Sequence, residues 1–197
     1  AKIEPSLQSI YYKGIILRGE NFTKSPIQIT QKIFDNFINK GGHFISAKVD
    51  GIIKKGDLLF LKCKEQEHQV DKIIVAAGAW SNVLAKTIGD NFPLDTERGH
   101  HIIFEGSNNL ISRSIGWAKS GFYMTPMEDG IRAAGTVEIA GLKKPMNNNI
   151  LAMIETTARS ILPQLGKVKS KWMGFRPTLP DSLPVIGQSQ KNKNIIY

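Results

Sequence analysis

Apolar residues recur along this chain with two different periods, and the change from one to the other marks its elements. Ile29, Ile33, Phe34, Phe37 and Ile38 fall three and four apart, which predicts a helix with one apolar face. Its start is written as Ser25 at the N-cap, Pro26 at the first helical position and Gln28 completing a capping box. Gly41-Gly42 ends it. Short strand-like runs follow over 43–49, 51–54, 58–63 and 70–77, with Lys55-Gly56-Asp57 as a turn. Residues 73–77 are continuously apolar, as expected of a strand covered on both faces. Gly78 closes that run, and a helix over about 81–88 presents Trp80, Val83, Leu84 and Ile88 on one side.

Beyond Pro93 the texture changes. Residues 101–104, 121–125 and 131–137 read as antiparallel strands, with Asp129-Gly130 as the hairpin turn. Leu151, Ile154, Ala158, Ile161 and Leu162 predict a second long helix, closed by Pro163. Another strand is expected over 168–175. Pro177, Pro180 and Pro184 then stiffen an extended loop before a last strand at 194–197. There is no internal repeat. The pattern is α+β, with a boundary near 89–93 and a return near 172–176.

Composition narrows the functional classes. At 197 residues, 41% of them hydrophobic, the chain is long enough and apolar enough to build a core, so global disorder is excluded. No apolar run approaches the roughly 20 residues of a membrane-spanning helix. A single cysteine, Cys63, excludes an internal disulfide and a thiolate metal cluster, and it fits a reducing compartment. The net charge of +9 raises nucleic-acid binding as a reading. The lysines, however, are scattered mostly singly, and the pairs Lys54-Lys55 and Lys143-Lys144 fall in apparent turns. A solvated surface accounts for them, and no nucleic-acid partner is expected. The chain begins at Ala1, and 194–197 read as a buried strand that stops as it opens. The expectation is an internal fragment of a longer protein.

Candidate chemistry lies in four places. The run from Ile73 through Gly78 to Ser81 is strand, glycine turn and helix start. Such a turn either faces a nucleotide or phosphate or is an ordinary strand-to-helix connection. Neither a full G-x-G-x-x-G fingerprint nor a P-loop is present. Arg176 ends an apolar strand just before the proline-stiffened loop, where a guanidinium is preorganised for a carboxylate or phosphate. The alternative is a structural pair with an acid such as Asp181. Tyr123 sits on a strand and either lines a cavity or fills the core. His100 and His101 are adjacent, so on a strand they point to opposite faces, and no metal site is expected.

The ordered motifs also resemble a known family. Val75-Ala76-Ala77-Gly78-Ala79-Trp80-Ser81, Pro93-Leu94 and Arg98-Gly99 are similar to the middle of the FAD-dependent amino-acid oxidoreductases. That family includes D-amino-acid oxidases and dehydrogenases, glycine oxidase and sarcosine oxidase. Tyr123-Met124-Thr125-Pro126, Asp129-Gly130 and Gly135-Thr136-Val137-Glu138 resemble its tyrosine strand and hairpin. Gly174-Phe175-Arg176-Pro177, Pro180-Asp181 and Pro184-Val185-Ile186-Gly187 resemble its substrate-arginine motif, and Glu4-Pro5 is familial too. The matches keep family order over nearly the whole chain and look most like bacterial D-amino-acid dehydrogenases.

The resemblance implies a substrate domain with a mixed, largely antiparallel sheet and helices on one side, plus part of a glutathione-reductase-type FAD domain. It implies a lead-in over 1–23, FAD-domain residues over 24–88, a substrate domain over 89–173 and a return to the FAD domain over 174–197. It implies oxidative deamination of a small amino acid or amine, with Arg176 and Tyr123 binding substrate and no catalytic acid or base from this stretch. Val49, Ala77, Gly78 and Gly187 are the implied FAD contacts. The family's N-terminal dinucleotide fingerprint and its C-terminal glycine-rich segment are not in this sequence, so the chain by itself is expected to be flavin-free and inactive. The implied partners are the amino-acid substrate and an electron acceptor, quinone or oxygen. Self-association through exposed apolar faces is expected. The implied location is cytoplasmic, with peripheral attachment to the inner face of the bacterial inner membrane as the variant. A carboxylate-binding module without chemistry is the alternative function.

Overall fold

The computed structural model describes residues 3–11, 13–19 and 21–197; Ala1 and parts of the expected lead-in lie outside the described residues. In chain order the elements are α1 (Pro26–Asn39), β1 (Gly51–Lys55), β2 (Leu58–Cys63), β3 (Gln66–Val70), β4 (Ile73–Ile74), α2 (Ser81–Lys86), β5 (Asp95–Phe104), β6 (Ile115–Trp117), β7 (Phe122–Met127), β8 (Gly130–Ile139), α3 (Asn148–Ile161), β9 (Val168–Thr178) and β10 (Ile195–Ile196). They form two compact units, the first from residues 1–42, 99–138 and 145–174, the second from 43–98, 139–144 and 175–197. Three of the divisions fall inside strands, β5, β8 and β9. Among the described residues no helix is long and apolar enough to cross a membrane.

The first unit is built on a five-stranded sheet in the order β6-β7-β8-β5-β9. Its core joins Leu151, Ile154, Ala158 and Ile161 of α3 to Ile102 and Phe104 of β5, Phe122 and Met124 of β7, and Ile131 and Ala133 of β8. The predicted stripe of α3 is thus the stripe that is buried. Asn147 caps that helix by accepting from the Asn149 N–H at 3.1 Å. Past its last turn, Arg159 donates to the carbonyls of Leu165 and Gly166 at 3.0 and 3.1 Å. Strand alternation then sorts β7 and β8. With Phe122, Met124, Ile131 and Ala133 turned to α3, Tyr123, Thr125, Arg132 and Ala134 lie on the opposite face.

The hairpin register pairs Met127 with Gly130, so the two turn residues are Glu128 and Asp129, one position earlier than the sequence suggested. Gly130 pairs within β8 at φ +139°, and a Cβ there would stand 2.0 Å from the Phe104 carbonyl oxygen. Glycine is therefore required by close backbone approach as well as by conformation.

α1 forms as expected, with Pro26 in its first turn, but the capping box does not. Ser25 makes no side-chain cap bond, and Gln28 donates instead to Glu128 Oε2 at 2.6 Å. The Gln28 amide nitrogen is held by a charged acceptor, and the Ser25 N–H finds its acceptor in Thr23 Oγ1 at 3.3 Å instead. No residue of α1 is buried, and Ile33 stands 66% exposed.

The second unit has an antiparallel meander β1-β2-β3 and a parallel pair of β4 with β10. Ile52, Leu59, Ile73, Val75 and Ile195 make its core. The expected strand over 43–49 does not form, because no described strand pairs with it and an unpaired run builds no ladder. The expected strand over 70–77 is broken: β3 ends at Val70 and β4 holds only Ile73 and Ile74. Ile73 is buried while Ile74 is 73% exposed, so this run is covered on one face, not two. The helix expected over 81–88 shortens to six residues after a tight turn at Gly78–Trp80. β6 and the start of β3 were not expected; His68 and its polar neighbours hide a strand that pairing with β2 enforces. Asp90 ties the end of the chain down, accepting from Ser189 Oγ and, at 2.8 Å, from the Tyr197 hydroxyl. Burial, then the bond to Asp90, pushes that phenol above its usual range.

Candidate functional site

In the second unit, Arg176 stands near the end of β9 and is exposed. Asp181, the structural partner considered for it, instead accepts the Leu183 N–H at 3.1 Å, closing a local turn. The residue before Arg176 is held firmly. The Phe175 ring meets Trp80 edge-on with centroids 5.1 Å apart, and the Arg98 guanidinium lies over it at 5.9 Å. One aromatic contact therefore links the arginine strand to the glycine turn in front of α2.

That turn has an open surface. Gly78 has φ +55°, and a Cβ added to it would meet nothing within 4 Å. Ala77 is half-buried behind it and its carbonyl accepts the Trp80 N–H at 3.1 Å. Val49 is half-buried in the extended stretch before β1. Gly187 exchanges backbone bonds with Tyr197 in both directions, at 3.2 and 2.9 Å. A six-residue α2 contributes little dipole, so the turn offers backbone approach rather than a strong anion field.

In the first unit, Tyr123 is not a core residue: it is 61% exposed, on the face of the sheet away from α3. Its ring lies across Gly116 of β6, its cross-strand partner, where a Cβ would come within 2.8 Å of Cε1. The same face carries His101, whose ring stacks on Trp172 with centroids 4.8 Å apart and planes 23° from parallel. Trp172 in turn lies over Gly174, where a Cβ would be 1.8 Å from the indole. Burial, then the positive charge of Arg132, lowers the His101 pKa to about 4; Asp129 acts weakly the other way. His101 is therefore neutral at pH 7. His100 points inward, is fully buried and lies 3.8 Å from Glu138. The two histidines do face opposite ways.

Sequence reasoning passed over Gly116, Arg132 and Trp172. The signal was available for Arg132: once the hairpin turn is placed, alternation puts it on the face of Tyr123.

Comparison with known proteins gives these residues a context. The FAD dependent oxidoreductase family matches the chain over residues 1–197. A D-amino-acid oxidase of Bradyrhizobium diazoefficiens is 31% identical over 201 residues, covering 98% of this chain and 48% of the relative. A D-amino acid dehydrogenase of Vibrio vulnificus is 30% identical over 197 residues, covering 95% of this chain and 47% of the relative. Among solved structures, an L-proline dehydrogenase from P. horikoshii superposes with a TM-score of 0.74 at 18% identity, over 87% of this chain and 48% of that one. The chain spans about half the length of the relatives it matches.

Proposed function

The chain belongs to the family of FAD-dependent oxidoreductases, whose amino-acid oxidases and dehydrogenases are its relatives, and from that premise we propose that its full-length protein oxidatively deaminates a small amino acid, as a D-amino-acid dehydrogenase. The observation that carries the proposal is Arg176: an exposed guanidinium on a strand end fixed by Phe175, with the one structural acid considered for it engaged elsewhere. A planar fork held in this way suits bidentate binding of the substrate carboxylate. Holding the carboxylate fixes where Cα can stand, and orientation of that kind supplies much of the rate in two-reactant steps. The Tyr123 hydroxyl adds a hydrogen bond to the substrate. No residue of this stretch acts as an obligatory acid or base.

The open glycine turn fits a cofactor approached by backbone. Ala77 and Gly78 would hold FAD there, with Val49 and Gly187 as further contacts. When bound, FAD supplies a two-electron acceptor for hydride from the substrate Cα. The imino acid left behind reacts with water to give a keto acid and ammonia, and the electrons go on to a quinone or to oxygen. On this reading residues 24–88 and 174–197 belong to the FAD part and 89–173 to the substrate part. The full-length protein is placed in the cytoplasm or on the inner face of the bacterial inner membrane, and the 197-residue chain alone is colourless and self-associates.

Anaerobic mixing of the full-length protein with D-amino acids tests the proposal. Loss of the oxidised-flavin absorbance on mixing is the expected result. A flavin-loaded protein left fully oxidised by D- and L-amino acids and by simple amines sinks it, and leaves a carboxylate-binding module as the reading.

A further inference from the structure

Past the last turn of α2 the second unit holds a cavity of about 360 Å³, at the small end of the roughly 300–1,000 Å³ of small-molecule sites. Ile52, Leu59, Ile88 and Ile195 make its walls apolar. Lys54, Lys191 and Asn192 bring polar groups to it. Strand alternation puts Lys54 on the inner face of the meander, two residues from buried Ile52 and paired with buried Leu59, where the pattern calls for an apolar residue. The Lys191 stem passes Gly89, with Cε 3.8 Å from where a Cβ would stand. Neither ammonium has an ion-pair partner among the described residues. Acids of the same unit are engaged elsewhere: Asp50 with Lys48 at 3.3 Å, Glu67 with Lys55, and Asp90 with Ser189 and Tyr197. Asn192 Oδ1 accepts the Asn194 N–H at 2.9 Å, which leaves its amide N–H groups to donate. Thr87 Oγ1 is spent on the Leu84 carbonyl at 2.6 Å and the Ile52 N–H at 2.9 Å.

The side-chain groups left to a ligand are therefore donors, two of them charged, and their complement is a group that only accepts, an anion. The apolar walls call for an aliphatic body behind it, and the volume suits a medium chain rather than a two-chain lipid. An ammonium is a point charge without a planar fork, so the lysines set the sign of the head group and not its shape. The place is separate from the glycine turn. That turn follows the carboxyl end of β4, the end where parallel strands commonly present ligands, whereas Lys191 and Asn192 precede the amino end of β10. The six residues of α2, roughly 9 Å of helix, separate the turn from Thr87 and Ile88. We infer that this cavity is a binding site for a medium-chain aliphatic anion, its chain against Ile52, Leu59 and Ile195 and its head group at Lys54 and Lys191. The site is built from the second unit alone and uses neither Arg176 nor the flavin.

Calorimetric titration of the full-length protein with octanoate, hexanoate and 1-octanol tests the site. Octanoate should bind about tenfold more tightly than hexanoate, the worth of two buried methylenes, and at least about tenfold more tightly than octanol, which lacks the charge. Both lysines are exposed, so their replacement leaves the fold intact. The double variant Lys54→Glu with Lys191→Glu should lose at least about tenfold in octanoate affinity. Arg176→Ala should leave that affinity unchanged, which separates this site from the proposed substrate site. Absence of octanoate binding overturns the inference, as does equal affinity for octanoate and octanol. Octanoate that binds the double lysine variant as tightly as the unmutated protein is held elsewhere, and this too overturns it. Titration with phosphatidylglycerol vesicles distinguishes a membrane as the source of the anion. Binding of the vesicles without binding of free octanoate would assign the lysines to a lipid surface and overturn the cavity as a site.

Discussion

Tyr123 shows how a single side chain is aimed by its neighbour's lack of one. Gly116 leaves the space that the phenol ring crosses, and the core residues Phe122 and Met124 fix which way the strand alternates. The hydroxyl is then presented to solvent on the face away from α3. Tyr123→Phe should cost about 0.5–1.5 kcal/mol in kcat/KM for amino acids, the worth of one neutral hydrogen bond. Gly116→Ala should do at least as much without touching the hydroxyl, because the added methyl displaces the ring. Urea midpoints should barely move in either variant, since the ring is exposed. A Gly116→Ala enzyme with wild-type KM would show that the ring's position is irrelevant to substrate.

Two 14-residue helices make the contrast at the scale of elements. Both sort their apolar residues to one side, and both were legible from spacing. In α3 the stripe is covered: Leu151, Ile154, Ala158 and Ile161 are essentially inaccessible. In α1 it is open, with Ile29 and Phe37 about half exposed. Periodicity records that a face is made to be covered; it does not record what covers it. Ile154→Ala should therefore cost about 2–5 kcal/mol, a buried aliphatic side chain exchanged for a cavity. Ile33→Ala should stay within about 0.5 kcal/mol, as an exposed position. Ile33→Glu should reduce self-association seen by light scattering. Equal destabilisation by the two alanine variants would mean that α1 is packed in solution. Strands were harder to read than helices, for a physical reason. Residues 43–49 have strand composition but no ladder, whereas β3, with Glu67 and His68, has a ladder without strand composition. A strand exists only with its partner, and partners are not written locally.

At the scale of the whole molecule, the chemistry was less legible than the architecture. The α+β class, α3 and the β7–β8 hairpin follow from local pattern. Arg176 was left open between a ligand and Asp181, because an Asx turn that removes Asp181 is visible only in three dimensions. Arg132 was passed over although the hairpin and strand alternation put it on the face of Tyr123, because its charge acting on His101 of β5 is visible only in three dimensions. The family match supplies the reaction class, and the structure supplies the exposed arginine on which the proposal turns. The most direct measurement is kcat/KM for amino acids in the Arg176→Ala variant of the full-length protein, with the flavin spectrum recorded on the same sample. Removing one partner of a desolvated charge pair costs about 3–5 kcal/mol, so the account predicts a loss of roughly a hundredfold or more, with flavin retained and Arg176→Lys rescuing only part. A value within a few-fold of the unmutated enzyme, with flavin still bound, would contradict it.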